Sequence, residues 1–320
     1  MKVFRFIYPG VLLCSFFLMA LSCSGLSEKP GTEFLADYSV AKESVLRSIP
    51  VGYISKAREQ FHIAYQHTSH GTHVPYGLNG LQRYESGDEN LFAVTFNGEP
   101  VSGKLDFEDY ALSSYHASGD DASDLSRNET AFIQATRNFL DAPENADINV
   151  VMWSWCSIGG HDVQGNYLPG MQTLIAEYGP GGSEPRAAET PVTFIFMTGH
   201  AESGNNIGPG RPRDQADLIR NFCEDHHYYC LDYFSIESHN YSDDAYYPDC
   251  SDDSVSSQYG GNYNADFQNS HSEGVDWFYN YAPGSSSPGY GAHLSQHITA
   301  NRKAYAFWWI LARMAGWNGV

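Results

Sequence analysis

Short continuous apolar runs alternate with amphipathic stretches along most of this chain. Residues 61–65, 91–96, 147–155, 191–199 and 228–234 read as strands, and their unbroken apolarity predicts burial on both faces. Residues 38–58, 128–140, 171–178, 214–225 and 299–315 read as helices. Strands alternating with helices predict the α/β class, with a mostly parallel sheet covered on both sides. A Gly- and Asp-rich stretch fills 71–126, and a loop-rich insertion dense in Ser, Asp, Tyr, Asn and Gly fills 238–290, before the last helix. Neither a repeat nor a linker divides the pattern, so one domain is expected over 37–320.

The amino terminus reads differently. Lys2 and Arg5 precede an apolar stretch from Val11 to Ala20, which has the length of an export signal and is too short to span a bilayer. Ala20-Leu-Ser-Cys23 looks like a loose lipobox, with Cys23 as the lipidated first residue of a bacterial lipoprotein; ordinary cleavage nearby is the alternative. The expectation is a signal peptide over 1–22, a polar tether over 23–36, and a protein that is exported, periplasmic or at the cell surface, with a lipid anchor in a membrane.

Charge narrows the partners. The formal net charge is −20, and removing 1–22 takes away Lys2 and Arg5 and no acid, giving −22. Such a chain repels the phosphate backbone, so no nucleic-acid partner is expected. Of the six cysteines, Cys156, Cys223, Cys230 and Cys250 lie beyond the signal, in a compartment where disulfides persist; four thiols allow three pairings.

Candidate chemistry gathers at Phe61-His-Ile-Ala-Tyr-Gln-His-Thr-Ser-His-Gly71, where an apolar strand runs into a turn that presents Ser69 between two histidines. A nucleophile beyond the carboxyl end of a buried strand sits where open α/β sheets bind ligands. A serine needs a base, and histidine suits because its unperturbed pKa lies near neutrality. The simpler reading of Ser69 is a hydroxyl capping the following turn.

The order of elements resembles the SGNH, or GDSL-like, hydrolase superfamily. Gln66-His-Thr-Ser69 stands where that family carries Gly-Asp-Ser, and Ala292-His293 precedes the last helix as the family's histidine does. Together with Trp153-Ser-Trp-Cys156, Met197-Thr-Gly-His200, Ile236-Glu237 and the run from Trp308 to Trp317, these motifs look like an SGNH-related group of exported bacterial proteins over most of 58–317. The resemblance implies a single flavodoxin-like three-layer domain, Ser69 as nucleophile and His293 as base, with His297 a nearby competitor. Oxyanion or substrate contacts then fall to the Ser69 backbone, His67, His70, Ser154, Cys156, Ser157 and His200. Two departures stand out: Trp-Ser-Trp-Cys-Ser replaces the family's Gly-x-Asn-Asp, and Tyr290 stands where the family places an aspartate three residues before the histidine.

Three function classes follow. The first is an esterase removing acyl groups from a carbohydrate, needing no cofactor. The second is a polysaccharide lyase or metal-assisted hydrolase, suggested by His67, His70 and His73 at a spacing of three, with His200 and His293 expected at the same edge; solvated or substrate-contacting histidines without a metal are the simpler outcome. The third is a carbohydrate-binding lipoprotein that keeps the scaffold without catalysis. Trp153 and Trp155 are the candidate sugar-stacking residues, and Glu237 is either an acid behind the site or a helix-capping carboxylate.

Overall fold

Successive residues of a strand point to opposite sides of a sheet, and here both sides are apolar. Ile63, Tyr65, Val150, Met152, Ile195 and Met197 enter one core, whereas Ala64, Val151, Trp153, Phe194 and Phe196 enter the other. A sheet apolar on both faces must be covered on both, and the chain accordingly forms three layers. The protein is described from a computed structural model over residues 33–319; the expected export signal and Cys23 lie outside the described residues.

The strands are β1 (Leu35–Ala36), β2 (His62–Gln66), β3 (Val94–Phe96), β4 (Leu105–Asp109), β5 (Val150–Trp153), β6 (Thr193–Met197) and β7 (Cys230–Leu231). They form one seven-stranded sheet in the order β1-β7-β6-β5-β2-β4-β3, with every pairing parallel. A small antiparallel pair, β8 (Val255–Ser256) and β9 (Gly261–Asn262), lies in the insertion.

One layer holds α1 (Glu43–Ser48), α2 (Val51–Gln60), α3 (His73–Leu81) and α10 (Ile298–Met314), and the other holds α5 (Ala131–Asp141), α6 (Leu168–Tyr178) and α7 (Pro212–His226). Shorter helices are α4 (Asp88–Leu91), α8 (Tyr233–Ser238) and α9 (Tyr263–Ser270). Neighbouring strands β2 and β5 send their following helices, α3 and α6, into opposite layers. The crevice beyond their carboxyl ends is the switch point of the sheet, where such folds place ligands.

Several elements differ from expectation for identifiable reasons. The helix expected over 38–58 is split at Ile49-Pro50, because proline lacks an N–H and drives the preceding residue out of helical conformation; Ile49 has ψ 122°. The strand expected over 228–234 stops at Leu231, since the Asp232 side chain accepts from Ser235 N and starts α8. Residues 35–36, expected in the tether, form edge strand β1 against β7. Cys156, Cys223, Cys230 and Cys250 are all free thiols, so none of the three possible sets of pairings is made.

Candidate functional site

Three turns beyond strand ends build the site. The first follows β2, where Ser69–Thr72 wind into one 3-10 turn before α3. Gly71 is required there: a Cβ on it would lie 2.1 Å from His67 Cβ and 2.7 Å from the Tyr65 hydroxyl. The second turn follows β5 and carries Cys156, and the third follows β6 and carries His200. Asp124 ties the first two together, accepting from Thr68 Oγ1 and Ser126 Oγ, while Ser126 Oγ accepts from the backbone N–H of Cys156 and of Ser157.

His70 lies at the centre. Its Nε2 is 2.8 Å from Asp252 Oδ2, and a carboxylate only accepts, so Nε2 carries the proton and the Nδ1 lone pair is free. That lone pair faces Cys156 Sγ at 3.8 Å. Burial pushes the His70 pKa down to about 4, against the pull of Asp252, with His200 and His293 adding repulsion. The ring is neutral at physiological pH and oriented by a carboxylate, as a general base requires.

Two imidazoles stack on it. His200 lies 3.5 Å from His70 between ring centroids, and His293 covers the other face at 4.4 Å. His293 is exposed and has φ +64°, a left-handed conformation uncommon outside glycine, which holds its ring over His70. Thr72 staples the two loops, its hydroxyl donating to Ser69 O and accepting from Ala292 N.

A fully buried chain of charge lies beneath. Lys303 Nζ donates to Glu237 Oε1 and to His73 Nδ1, and His73 Nε2 donates to Ala292 O at 2.7 Å. Glu237 Oε2 accepts from Ala201 N, and Ala201 O faces His200 Nδ1, both at 2.7 Å. The chain therefore anchors the residues beside His200 and His293. Burial lowers the Lys303 pKa and raises that of Glu237, each opposed by the other's charge.

No protein-family model, curated protein or solved structure matches this chain. Its functional reading comes from the residues in place.

Ser69, His70, Cys156, His200 and His293 are brought to one edge, as the sequence expects. Ser69 and His293, however, are not hydrogen-bonded to each other among the described residues; within the stack of His200, His70 and His293, the imidazole held by a carboxylate is His70. His67 stands aside, buried with Nε2 on Asp109 Oδ1 and Nδ1 on Thr68 O, each at 2.7 Å. The N–H groups of Cys156 and Ser157, candidates for holding an oxyanion, are taken by Ser126. Ser157 Oγ donates to Glu202, and Ser154 is buried with its N–H on Gln66 O. His297, the competing base, is buried with Nδ1 accepting from Asn280 N.

Trp153 and Trp155 do not stack on a ligand. They are 0% and 1% exposed, packed in the second core, because alternation at the end of β5 turns both inward. Exposed rings lie elsewhere: Tyr110 sits 4.1 Å from the His67 ring, and Tyr290, three residues before His293, is 45% exposed.

His70, His200 and Asp252 also place donor atoms within 4.8 Å of one another. An imidazole lone pair lies in the plane of its ring, so two rings 3.5 Å apart and 8° from parallel do not aim at one ion between them. Both His200 nitrogens already face carbonyl oxygens, of Ala201 and Cys156. Metal binding would require one ring to turn.

Sequence reasoning missed Asp252, Asp124 and Lys303. Asp252 is hidden in an acid-rich insertion where nothing singles it out. Lys303 left a signal, since the polar run Asn301-Arg302-Lys303 sits in a terminal helix that is buried almost throughout.

Proposed function

We propose that this protein hydrolyses carboxylic esters at the carboxyl edge of its sheet, with His70 as general base held by Asp252. The observation that carries this reading is the 2.8 Å contact from His70 Nε2 to Asp252 Oδ2 on a neutral, buried ring. The base takes a proton from the nucleophile as the acyl carbonyl is attacked and returns it to the departing alcohol. Asp252 fixes the tautomer and compensates the imidazolium formed between those steps.

We infer an acyl-decorated carbohydrate as substrate and a lipid-anchored, exported setting. The leader-like amino terminus, the SGNH-like order of motifs and the exposed rings of Tyr110 and Tyr290 support this. A uronate lyase is less well supported: it needs a cation against the substrate carboxylate, whereas the ammonium in this cluster, Lys303, is fully buried on Glu237 and His73.

The test is hydrolysis of p-nitrophenyl acetate and acetylated xylan by the mature protein. His70→Asn and Asp252→Asn are expected to lower kcat/KM by about 10²–10⁴-fold. Folded wild-type protein that cleaves neither ester, or variants within about threefold of wild type, would count against the reading.

A further inference from the structure

We propose that Cys156 is the nucleophile of this site, forming a thioester with the acyl group. The inference rests on the hydrolase reading and adds a residue to it. The contacts run in the order thiol, imidazole, carboxylate: Cys156 Sγ to His70 Nδ1 at 3.8 Å, then His70 Nε2 to Asp252 Oδ2 at 2.8 Å. Because Asp252 accepts the Nε2 proton, the nitrogen facing sulfur has its lone pair free to take the thiol proton. Among the four described cysteines Cys156 alone is not buried; Cys223, Cys230 and Cys250 are enclosed. Its backbone is fixed from both sides, its N–H by Ser126 Oγ and its carbonyl by His200 Nε2 at 2.6 Å. Ser69, by contrast, has no carboxylate-held base hydrogen-bonded to its hydroxyl among the described residues.

The step balances without an outside oxidant or metal. Cys156 Sγ attacks the acyl carbon as its proton passes to His70 Nδ1; the C–O bond breaks, and the alcohol leaves with that proton. Water then attacks the thioester, giving one proton to His70, and the carboxylic acid leaves as His70 returns the proton to sulfur. The sum is ester plus water giving acid plus alcohol.

Two readouts on the mature protein test it. In the first, iodoacetamide alkylation is followed by peptide mass. Cys156 is expected to react at least about tenfold faster in wild type than in His70→Asn or Asp252→Asn, since the thiolate is the reactive form. In the second, protein quenched during turnover of p-nitrophenyl acetate is expected to carry one acetyl group on the Cys156 peptide, removed by neutral hydroxylamine, and Cys156→Ala is expected to lose that adduct together with turnover. An acetyl group on the Ser69 peptide, or Cys156→Ala turning over within about threefold of wild type, would overturn the thiol while leaving the hydrolase reading standing. Alkylation unchanged in both variants would overturn it whatever the hydrolysis assay returns. Faster alkylation in a protein that cleaves no ester would support the activated thiol and remove the hydrolase reading.

Discussion

At the residue scale, one hydrogen bond separates the histidine that sequence singles out from the one the fold equips. His293 stands before the last helix, as the family resemblance requires, yet it lies exposed on the outer face of the stack. His70, adjacent to Ser69, receives the carboxylate. The difference was not legible because Asp252 is 182 residues away in sequence from its partner and has several acidic neighbours. The turn itself was legible, through Ser69 and its flanking histidines, and Gly71 shows why it holds its shape. Gly71→Ala drives a methyl into His67 and Tyr65, both fully buried, and is expected to destabilise the fold by about 1–3 kcal/mol. Chemical denaturation measures this, and an unchanged midpoint would mean that the turn yields where the packing says it does not.

At the element scale, the long apolar strands and the amphipathic helices were readable, whereas β4 and α3 were not. The sequence of β4, Leu-Asp-Phe-Glu-Asp, carries three acids, and its pairing with β2 on one side and β3 on the other makes it a strand. Helix α3 contains Pro75, Gly77 and Gly80, poor helix formers that tertiary contact overrides. Gly77 lets α3 close on α10, where a Cβ would come 2.2 Å from Ala300 O. Inside α10, Lys303 joins the helix to Glu237 of α8 and His73 of α3. Removing one partner of a buried pair leaves the other charge uncompensated, so Lys303→Met is expected to cost about 3–5 kcal/mol. Adding Glu237→Gln should restore part of that loss. Equal unfolding midpoints for Lys303→Met and wild type would show that this chain does not anchor the loops.

At the scale of the whole molecule, the three-layer α/β arrangement was legible because apolar strands and helices alternate, and the switch point between β2 and β5 follows from it. The site's composition was not, since its acid arrives from the loop-rich insertion. Burial lowers His70, His239 and His297 to about 4 and His73 well below its usual range. A histidine depressed in the folded state binds its proton only on unfolding, so between the unfolded pKa near 6.5 and the folded value the unfolded chain holds more protons. Stability is therefore full above about pH 6.5 and falls as pH drops towards 4, by on the order of 3 kcal/mol each for His70 and His239. Urea midpoints at pH 7.5, 6 and 5 should fall in that order; a constant midpoint would mean that these rings take up protons as readily in the folded protein as in the unfolded chain.

The same neutral ring makes the hydrolysis of an acyl ester as a function of pH the most direct test, with folding checked at each point. kcat/KM is expected to hold level through neutrality and to fall on an acid limb near pH 4, the limb of His70, with Asp252→Asn lowering the level by about 10²-fold or more. A limb near 6.5 that Asp252→Asn leaves untouched, or no turnover by the folded protein, would contradict a catalytic edge built on His70 and Asp252.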